Sequence, residues 1–251
     1  MEYYCFITVR SSSSRLKNKC FLDFGGMTVL EHIIFRCIYG GLIPIICTSE
    51  NPADRKIINL AQSMKVKYFR GPEKNKILRW YLCCKKLKIN NFHSVDADDL
   101  FFDWDTVKKS LQLLKKTKKD VILPSKVSRE GGASEGYSFS KHSLKKVIDK
   151  FKTLKSKNSD VEMIDTFIDK LSKKTLKPTA YQIKKVRLTL DYKEDYLLLK
   201  KIRKRLGNFC HRKKINYFLK KNFEISKINY FRNKDWENRQ KYQIQNDYKK
   251  V

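Results

Sequence analysis

The sequence predicts one three-layer α/β domain built on a mostly parallel sheet. In the first two thirds of the chain, short apolar runs alternate with segments whose apolar residues recur at helical spacing. Parallel strands need crossover connections, which are usually helices, so this alternation indicates a parallel sheet with helices on both faces. The chain has 251 residues, of which 41% are hydrophobic, enough for one large domain of this kind.

Short runs rich in β-branched and aromatic residues are the predicted strands. Five of them lie in the first half, at residues 4–9, 42–47, 66–69, 92–95 and 121–123. A sixth is predicted at residues 183–190, where apolar and polar residues alternate. The order of these runs places most of the sheet before Pro124.

Residues that favour helix ends lie between the strands. Thr28 is the predicted N-cap of the first helix and Gly40 its end, while Asn51-Pro52 starts the second. Asp103 is the predicted N-cap of the helix that precedes the fifth strand. After Pro124 we predict a helix from Ser140 to about residue 153, one at residues 161–171, and a lysine-rich helix from residue 194.

Charge is the most prominent feature of the composition, with a formal net charge of +30 at pH 7. A strongly basic chain can indicate a nucleic-acid partner or an anionic membrane surface. However, 43 of the 56 basic residues are lysines, spread over the whole chain, which is typical of solvated faces. We therefore expect no nucleic-acid partner.

Other features bear on the compartment. No apolar run approaches the ~20 residues that span a bilayer, so we expect no membrane insertion. The first residues form a predicted strand and lack the features of a signal peptide, which predicts a cytoplasmic protein. None of the seven cysteines forms a CxxC pair, so we expect them to be reduced.

A polar loop directly after the first strand, at residues 10–19, is the first candidate for a ligand site. In open α/β sheets, ligands bind beyond the carboxyl ends of the strands. Arg10, Arg15 and Lys19 alternate here with serines, whose backbone N–H groups can approach phosphate closely. Such a loop can neutralise a triphosphate and donate forked hydrogen bonds to its oxygens. The alternative is a solvated, flexible serine loop.

Aspartates that follow two predicted strands are candidate ligands of Mg²⁺, which prefers carboxylate, phosphate and water oxygens. Asp98 lies in the acidic turn after the fourth strand, where Asp96 and Asp99 compete for the role. Asp191 follows the sixth strand, just before a helix. Two carboxylates from separate strand ends can hold one metal ion. Alternatively, Asp191 caps that helix with Glu194 as its capping-box partner.

The order of these motifs resembles the cytidylyltransferases that make CMP-activated sugars. The resemblance starts with Arg-x-x-Ser-x-Arg-Leu-x-x-Lys at residues 10–19, followed by Leu22-Asp-Phe-Gly-Gly26 and Val29-Leu-Glu-His-Ile33. Later, Val95-Asp-Ala-Asp98 occupies the place of the family's strand-end aspartate motif, and residues 187–195 resemble its closing signature. In detail the pattern is similar to the branch named for spore-coat polysaccharide synthesis, which is related to the CMP-Kdo and CMP-sialate synthetases.

This resemblance implies a Rossmann-like nucleotide-diphospho-sugar transferase fold and an enzyme that couples CTP to a sugar with loss of pyrophosphate. The expected sugar is acidic or belongs to a surface polysaccharide, and a homodimer is expected. By resemblance, Arg10, Arg15 and Lys19 would grip the triphosphate, with Ser11 and Ser13 assisting.

The resemblance also implies that Asp98 and Asp191 hold Mg²⁺ against the α-phosphate, which makes Asp98 part of the nucleotide site. The loop 128–136, with Arg129 and Glu135, is the predicted sugar-facing side. The nucleotidyltransferase domain is predicted to span residues 1–205. Residues 206–251 are predicted to form a basic, aromatic helical extension packed on the same domain.

Four positions depart from the family pattern. Lys17 and Lys193 stand where the family usually has proline, Ala97 replaces a glycine before the metal aspartate, and Leu100 replaces another proline. None of these changes removes a charged catalytic group. Ala97 adds a Cβ, which questions close approach of the backbone to a ligand at that turn.

Three other functions stay open from the sequence. A related glycosyltransferase could have the same style of sheet, and an inactive relative could carry these departures. A nucleic-acid-binding protein could use the basic, aromatic C-terminal region to contact phosphates and stack bases. We expect the aromatic residues of that region instead to pack a terminal helix onto the domain.

Overall fold

One mixed sheet lies at the centre of the molecule. The computed structural model describes residues 2–13, 15–129, 135–161, 164–179 and 186–248. The strands among these residues are β1 Tyr4–Thr8, β2 Ile43–Ser49, β3 Lys67–Gly71, β4 Asn91–Asp96, β5 Val121–Leu123, β6 Ser138–Ser140 and β7 Lys173–Thr175. These seven form one sheet in the order β3-β2-β1-β4-β6-β5-β7.

Most strand pairs are parallel, as predicted. β1 runs parallel to β2 and β4, β2 to β3, and β5 to β7, whereas β6 is antiparallel to both β4 and β5. Thr8 at the end of β1 is in register with Asp96 at the end of β4. The loop after β1 and the turn after β4 therefore start side by side at one edge of the sheet.

Helices cover both faces of the sheet. They are α1 Val29–Tyr39, α2 Arg55–Ser63, α3 Lys76–Leu87, α4 Trp104–Thr117, α5 Lys126–Arg129, α6 Lys141–Lys150, α7 Lys193–Leu206, α8 Arg212–Lys221, α9 Phe223–Ser226 and α10 Arg232–Tyr248. Cys5 and Ile7 of β1 share a core with α1, α4 and α7, whereas Phe6 shares one with α3 and α6. This alternation follows from the two-residue period of a strand and confirms the three-layer α/β fold. No helix in the described part of the chain is both long and apolar enough to cross a membrane.

Local capping signals set several helix boundaries, as the sequence predicts. The Thr28 hydroxyl accepts the N–H of Glu31, whose carboxylate accepts the N–H of Thr28 in return. The Asp103 carboxylate caps α4, and the Ser140 hydroxyl caps α6. These contacts satisfy N–H groups that the first turn of a helix leaves without partners.

The strand predicted at residues 183–190 is wrong over its described part, since residues 186–190 form irregular structure. The alternation in the sequence is nevertheless real in the fold. Val186, Leu188 and Leu190 are buried in the core that α1 and α7 share. The Leu190 N–H donates to the Asp98 carbonyl oxygen at 2.8 Å, in the turn after β4, so this extended segment packs against a turn instead of pairing with a strand.

The helix predicted at residues 161–171 is also wrong. The described residues there contain only a 3-10 turn, Ile164–Thr166. Ile164, Phe167 and Ile168 are buried, which produces helical spacing of apolar residues without a continuous helix. The helix that starts after Ser140 ends at Lys150, short of residue 153, and a 3-10 turn follows it.

The C-terminal helices pack against the domain. Ile215 and Leu219 of α8 are buried in the same core as α1 and α7, and Phe218 packs against it. Tyr217 and Phe231, by contrast, are exposed. The domain boundary predicted at residue 205 stays a prediction.

Candidate active site

A cavity of about 770 Å³ opens beyond the carboxyl ends of β1 and β4, where the sequence predicts the ligand site. Residues from eight separate segments of the chain line it. They include Arg10, Ser12, Ser13, Arg15 and Lys19 after β1; Glu73, Lys76 and Arg79 after β3; Asp96, Ala97, Asp98 and Asp99 after β4; Asp191 before α7; and Trp236, Arg239 and Lys241 of α10.

The start of the loop after β1 is fixed by a buried carboxylate. The backbone N–H and the hydroxyl of Ser11 donate to Asp54 Oδ1 at 2.7 and 2.6 Å. The other oxygen of Asp54 accepts hydrogen bonds from the hydroxyls of Thr48 and Ser49, the last two residues of β2. Because Asp54 joins two loops at the same edge of the sheet, the path of the chain after β1 is set by neutral donors.

The end of the same loop is held by ion pairs. Arg15 Nη2 lies 2.5 Å from Asp191 Oδ1, and the two residues are 176 positions apart in the chain. Lys19 Nζ lies 2.5 Å from Asp98 Oδ2 and 3.3 Å from Asp191 Oδ1. It also donates to the carbonyl oxygen of Leu190 at 3.1 Å. One ammonium group therefore lies between the two aspartates that the sequence singles out.

This cluster shifts the pKa values of its members in different directions. Burial alone would raise the pKa of Asp191, but the positive charges of Lys19, Arg15 and Arg187 outweigh it and lower that pKa. Burial raises the pKa of Asp98, and the negative charges of Asp191 and Asp96 add to this effect, against the opposing charge of Lys19. Burial opposes the charge on Lys19, yet the two aspartates raise its pKa. Asp191 is thus held as an anion, while Asp98 is the more readily protonated carboxyl group.

Behind Asp191 lies a second, fully buried set of charges. Arg187 donates to Asp191 Oδ2 at 3.0 Å and to both oxygens of Asp195 at 3.0 and 3.2 Å. Asp195 accepts the backbone N–H groups of Asp191 and Tyr192, each at 2.9 Å, and so caps α7. The alternative in which Asp191 and Glu194 cap this helix is therefore wrong, because Asp195 makes these hydrogen bonds and Asp191 faces the cations.

Three carboxylates after β4 can provide a metal site. Oxygens of Asp96, Asp98 and Asp99 all lie within 4.8 Å of one another. Mg²⁺ prefers carboxylate oxygens as ligands. The three aspartates line the cavity beside the loop at residues 10–19. Thr189 donates to Asp99 at 3.1 Å, which orients one of the three. The residues present therefore fit a divalent metal ion.

The structure brings most of the predicted site residues into one cavity but gives Ser11 another partner. Arg10 lines the cavity and donates to the carbonyl oxygen of Glu73 at 3.2 Å, and Ser13 lines it as well. Both polar groups of Ser11 donate to Asp54, so this residue supports the loop.

The structure does not test the predicted sugar-facing role of Arg129 and Glu135. The Glu135 carboxylate accepts the N–H of Ser125 at 2.7 Å, while its carbonyl oxygen contacts His93 Nε2 at 2.6 Å. The side chain of Arg129 lies outside the described residues, as do residues 130–134. A sugar-facing role for both residues stays a prediction.

Several residues of the site are not recognisable from the sequence. Asp54 lies in an ordinary Pro-Ala-Asp helix start, and nothing in that motif indicates that it anchors the loop after β1. Trp236, Arg239 and Lys241 belong to a C-terminal region whose composition looked like a packing extension. Their presence in the cavity depends on how the chain returns to the domain after α7, for which the sequence has no local signal.

The departures from the family pattern fall where this fold accommodates them. Lys17 is exposed, and Lys193 is exposed at the first position of α7, where proline is favoured but not required. Leu100 is fully buried in the core. The N–H of Ala97 donates to the Thr8 carbonyl oxygen at 3.0 Å, and Ala97 is not among the described residues with positive φ, so its Cβ causes no backbone strain.

Comparison with known proteins decides the family. A family model described as cytidylyltransferase matches residues 4–250, almost the whole chain. The protein belongs to the cytidylyltransferase family. A solved cytidylyltransferase from Leptospira borgpetersenii serovar Hardjo-bovis is 21% identical with a TM-score of 0.76, and the match covers 90% of this chain and 96% of that one.

Two further comparisons give weaker or shorter matches. A structure of CMP:2-keto-3-deoxy-manno-octonic acid synthetase complexed with CTP is 12% identical with a TM-score of 0.60, covering 82% of this chain and 99% of that one. At such identities the likeness shows the nucleotidyltransferase fold. An uncharacterized protein of Methanocaldococcus jannaschii is 27% identical over 141 residues, which are 55% of this chain. The match spans 58% of the length of that curated relative.

Proposed function

We propose that this cytidylyltransferase transfers the cytidylyl group of CTP to a hydroxyl group of an acidic sugar, giving a CMP-sugar and pyrophosphate. The acceptor is proposed to be a sugar of a surface polysaccharide, in line with the resemblance to the spore-coat branch. Support for such a reaction also comes from the fold that the chain shares with a CMP:2-keto-3-deoxy-manno-octonic acid synthetase.

The observation that carries the proposal is the meeting of Arg15, Lys19, Asp98 and Asp191 in one cavity. These residues come from three segments that are 79 to 176 positions apart. Both cations contact the buried carboxylate of Asp191, and burial of charge is costly unless it is compensated. A fold that keeps such a cluster at the mouth of a ligand cavity has the donors and the acceptors that phosphoryl chemistry needs.

In the proposed reaction, Arg10, Arg15 and Lys19 bind the triphosphate oxygens, and the hydroxyl or N–H of Ser13 assists. Arg15 and Lys19 would exchange their carboxylate partners for phosphate, which keeps them paired throughout. The acceptor hydroxyl oxygen forms a bond to the α-phosphorus as the bond from that phosphorus to the bridging β-phosphate oxygen breaks; the hydroxyl proton is released to solvent and pyrophosphate leaves. Positioning and charge neutralisation by these side chains would supply most of the rate enhancement.

Asp98 and Asp191 are the proposed ligands of Mg²⁺, with Asp96 and Asp99 beside Asp98 as further oxygen donors. The Lys19 ammonium lies between Asp98 and Asp191, so the space between these carboxylates suits a positive charge. A bound Mg²⁺ would neutralise charge on the phosphates. Ser11 is not retained as a nucleotide contact, since both of its donors face Asp54.

Thermal unfolding with CTP, UTP, ATP or GTP, each with Mg²⁺, tests the nucleotide half of the proposal. A ligand at 100 times its Kd stabilises the folded state by about 2.7 kcal/mol, and no acceptor sugar is needed. We expect CTP to raise the Tm selectively and Asp98→Asn to reduce the shift. Asp149→Asn is the matched control, because Asp149 is an exposed carboxylate on α6 outside the cavity.

Pyrophosphate release with a panel of acidic and neutral sugars then tests the transfer. CTP stabilisation without release for any sugar would favour an inactive relative, and stabilisation by UTP or GTP alone would contradict the choice of nucleotide. The proposal retains a homodimer as the assembly. Phe35, Ile38 and Tyr39 form an exposed apolar face of α1 that suits one, and light scattering of the purified protein would test it.

A further inference from the structure

The C-terminal helix α10 is part of the cavity wall. Trp236, Arg239 and Lys241 line the cavity together with Arg15 and Asp98, although about 140 residues or more separate the two groups in the chain. Lys220 and Lys234, which are as exposed and as basic, are not among the cavity residues. Glu237 also lines the cavity, so the contribution of α10 comes from the stretch 236–241.

A buried network holds the beginning of this helix beside Asp191. The Asn229 side chain is fully buried and donates to Asp195 Oδ1 at 2.8 Å and to the Arg187 carbonyl oxygen at 3.1 Å. The Trp236 ring lies 5.9 Å from the Arg187 guanidinium, which in turn donates to Asp191. Arg232 adds a forked pair of hydrogen bonds to Glu194 of α7, at 3.1 and 3.0 Å. The position of α10 is thus tied to the carboxylate cluster.

The contact between α10 and the 3-10 turn Ile164–Thr166 shows which side of the cavity the helix covers. Arg10 follows β1 and Lys76 follows β3, so the cations of those loops occupy the half of the cavity over β3 and β1. α10 lies instead against the turn Ile164–Thr166, in which Asp165 accepts the Tyr137 hydroxyl at 2.9 Å. Tyr137 directly precedes β6, on the other side of β4. The helix therefore runs from the carboxylate cluster at Asp191 to the β6 side of the cavity, away from Arg10 and Lys76.

We propose that α10 forms the acceptor-binding wall of the active site, with Trp236 contacting the sugar ring and Arg239 and Lys241 contacting its anionic group. This inference rests on the proposed function and assigns part of its substrate site to the C-terminal helix. An indole ring offers a flat apolar face for the C–H face of a pyranose, and binding sites commonly combine such a surface with a few polar groups. A guanidinium and an ammonium group together suit a carboxylate or a phosphate on the acceptor.

The double variant Arg239→Ala/Lys241→Ala tests the wall, with Lys220→Ala/Lys234→Ala as its charge-matched control. Pyrophosphate release is measured with 2-keto-3-deoxy-manno-octonic acid, N-acetylneuraminic acid, glucuronic acid, their methyl esters, and glucose 1-phosphate. We expect the KM of the best acid to rise at least about tenfold in the double variant, while the CTP-induced shift in Tm stays at the wild-type value. The control variant should keep both quantities. A preference for the acids over their esters assigns a carboxylate, and turnover of the sugar phosphate alone assigns a phosphate.

A spectroscopic measurement gives a second readout that needs no turnover. Trp80 and Trp104 are buried, whereas Trp236 is partly exposed, so acceptor binding should change the fluorescence of Trp236. The change should disappear in Trp236→Phe. An unaltered acceptor KM in the double variant, or an equal loss of CTP stabilisation, would overturn the inference. So would a wild-type protein that binds CTP but neither turns over an acidic or phosphorylated acceptor nor changes fluorescence with one. In that last case the nucleotide half of the proposed function still stands.

Discussion

Asp54 and Asp191 hold the two ends of the same loop and are equally buried, each 2% exposed, but their partners differ in kind. Asp54 accepts hydrogen bonds from Ser11, Thr48 and Ser49, all of them neutral donors close to it in the fold. Asp191 accepts hydrogen bonds from charged groups of the loop and of the segment before α7. The hydrogen bonds to Asp54 fix the path of the backbone after β1, whereas the ion pairs of Asp191 hold Arg15 and Lys19 at the cavity.

The pKa of each carboxyl group is lowered, but for different reasons. Burial opposes ionisation in both cases. At Asp54 the hydrogen bonds from Ser11 and Ser49 outweigh burial, while at Asp191 the positive charges of Lys19 and Arg15 do so. Only the cations around Asp191 can be transferred to a phosphate ligand. A lowered pKa alone therefore does not distinguish a structural carboxylate from a functional one, and the charge of its partners does.

The largest effect should follow from removing the shared cation with Lys19→Met. This change leaves Asp98 and Asp191 facing each other without the charge between them, and it removes a proposed phosphate contact. We expect kcat/KM to fall by about 10³-fold, which corresponds to ~4 kcal/mol of transition-state stabilisation. Steady-state pyrophosphate release measures it, and circular dichroism checks that the variant is folded.

Lys17→Met is the matched control for that experiment, since Lys17 is an exposed lysine of the same loop outside the cavity. It should retain nearly full activity. If Lys19→Met kept more than about a tenth of wild-type kcat/KM, the distinction between the two ends of the loop would lose its functional meaning.

Asp54→Ala should lower stability strongly and activity only weakly, the reverse of Lys19→Met. It leaves the hydroxyls of Ser11, Thr48 and Ser49 without their acceptor in a buried place, so we expect the free energy of unfolding to fall by about 3 kcal/mol. Activity should fall less than about tenfold once the protein is folded, because no cation is lost. Urea unfolding and pyrophosphate release measure the two effects, and Asp54→Asn, which keeps one acceptor oxygen, should recover part of the stability. A loss of activity as large as that of Lys19→Met would contradict the structural role of Asp54.

Much of the fold could be predicted from the sequence, but some of its strands could not. Five strands and the caps at Thr28, Asp103 and Ser140 were predictable because each follows from local periodicity or from one side chain and its nearest N–H groups. β6 and β7 have the sequences Ser-Phe-Ser and Lys-Lys-Thr, which lack the apolar run that made the equally short β5, Val121–Leu123, recognisable. The segment 186–190 alternates like a strand because its odd and even residues face different surroundings, and the sequence does not say whether the surroundings are a strand or a turn.

The site residues that could be predicted from the sequence are charged residues that follow predicted strands. Arg15, Lys19, Asp98 and Asp191 were found because cations and carboxylates after predicted strands suggest phosphate and metal chemistry. Asp54 was missed because its partners are serines and a threonine, which occur in any loop. The cavity residues of α10 were missed because their position depends on Asn229 and the buried pairs behind Asp191, which are tertiary contacts.

His93 extends the comparison to a buried base with neutral partners. Its ring contacts the Ser138 hydroxyl at 2.8 Å and the Glu135 carbonyl oxygen at 2.6 Å, and burial lowers its pKa to about 4. Since the pKa in the unfolded chain is about 6.5, unfolding takes up a proton below that pH, and the stability present at neutral pH is lost as the pH falls from 6.5 towards 4. We expect His93 to account for a loss of about 2 kcal/mol at pH 5.

Urea unfolding at pH 7.5 and pH 5 checks this. His93→Gln should shrink the difference between the two pH values by about 2 kcal/mol, whereas His142→Gln, at an exposed histidine of α6, should not change it. His32, whose pKa burial lowers to about 3, contributes in the same direction and keeps part of the pH dependence in the His93 variant. An unchanged difference in His93→Gln would mean that this ring is not held neutral by its surroundings.

The smallest effect should come from Ser11→Ala, which separates anchoring from nucleotide binding within one residue. The variant loses the hydroxyl that donates to Asp54 at 2.6 Å but keeps the backbone N–H that donates at 2.7 Å. We expect the free energy of unfolding to fall by about 1 kcal/mol, the usual net contribution of one such hydrogen bond, with the Kd for CTP changed less than about threefold. Urea unfolding and titration of the CTP-induced Tm shift measure both quantities. A much weaker affinity for CTP at unchanged stability would return Ser11 to the nucleotide site, and it would mean that Asp54 also serves the ligand through the loop it holds.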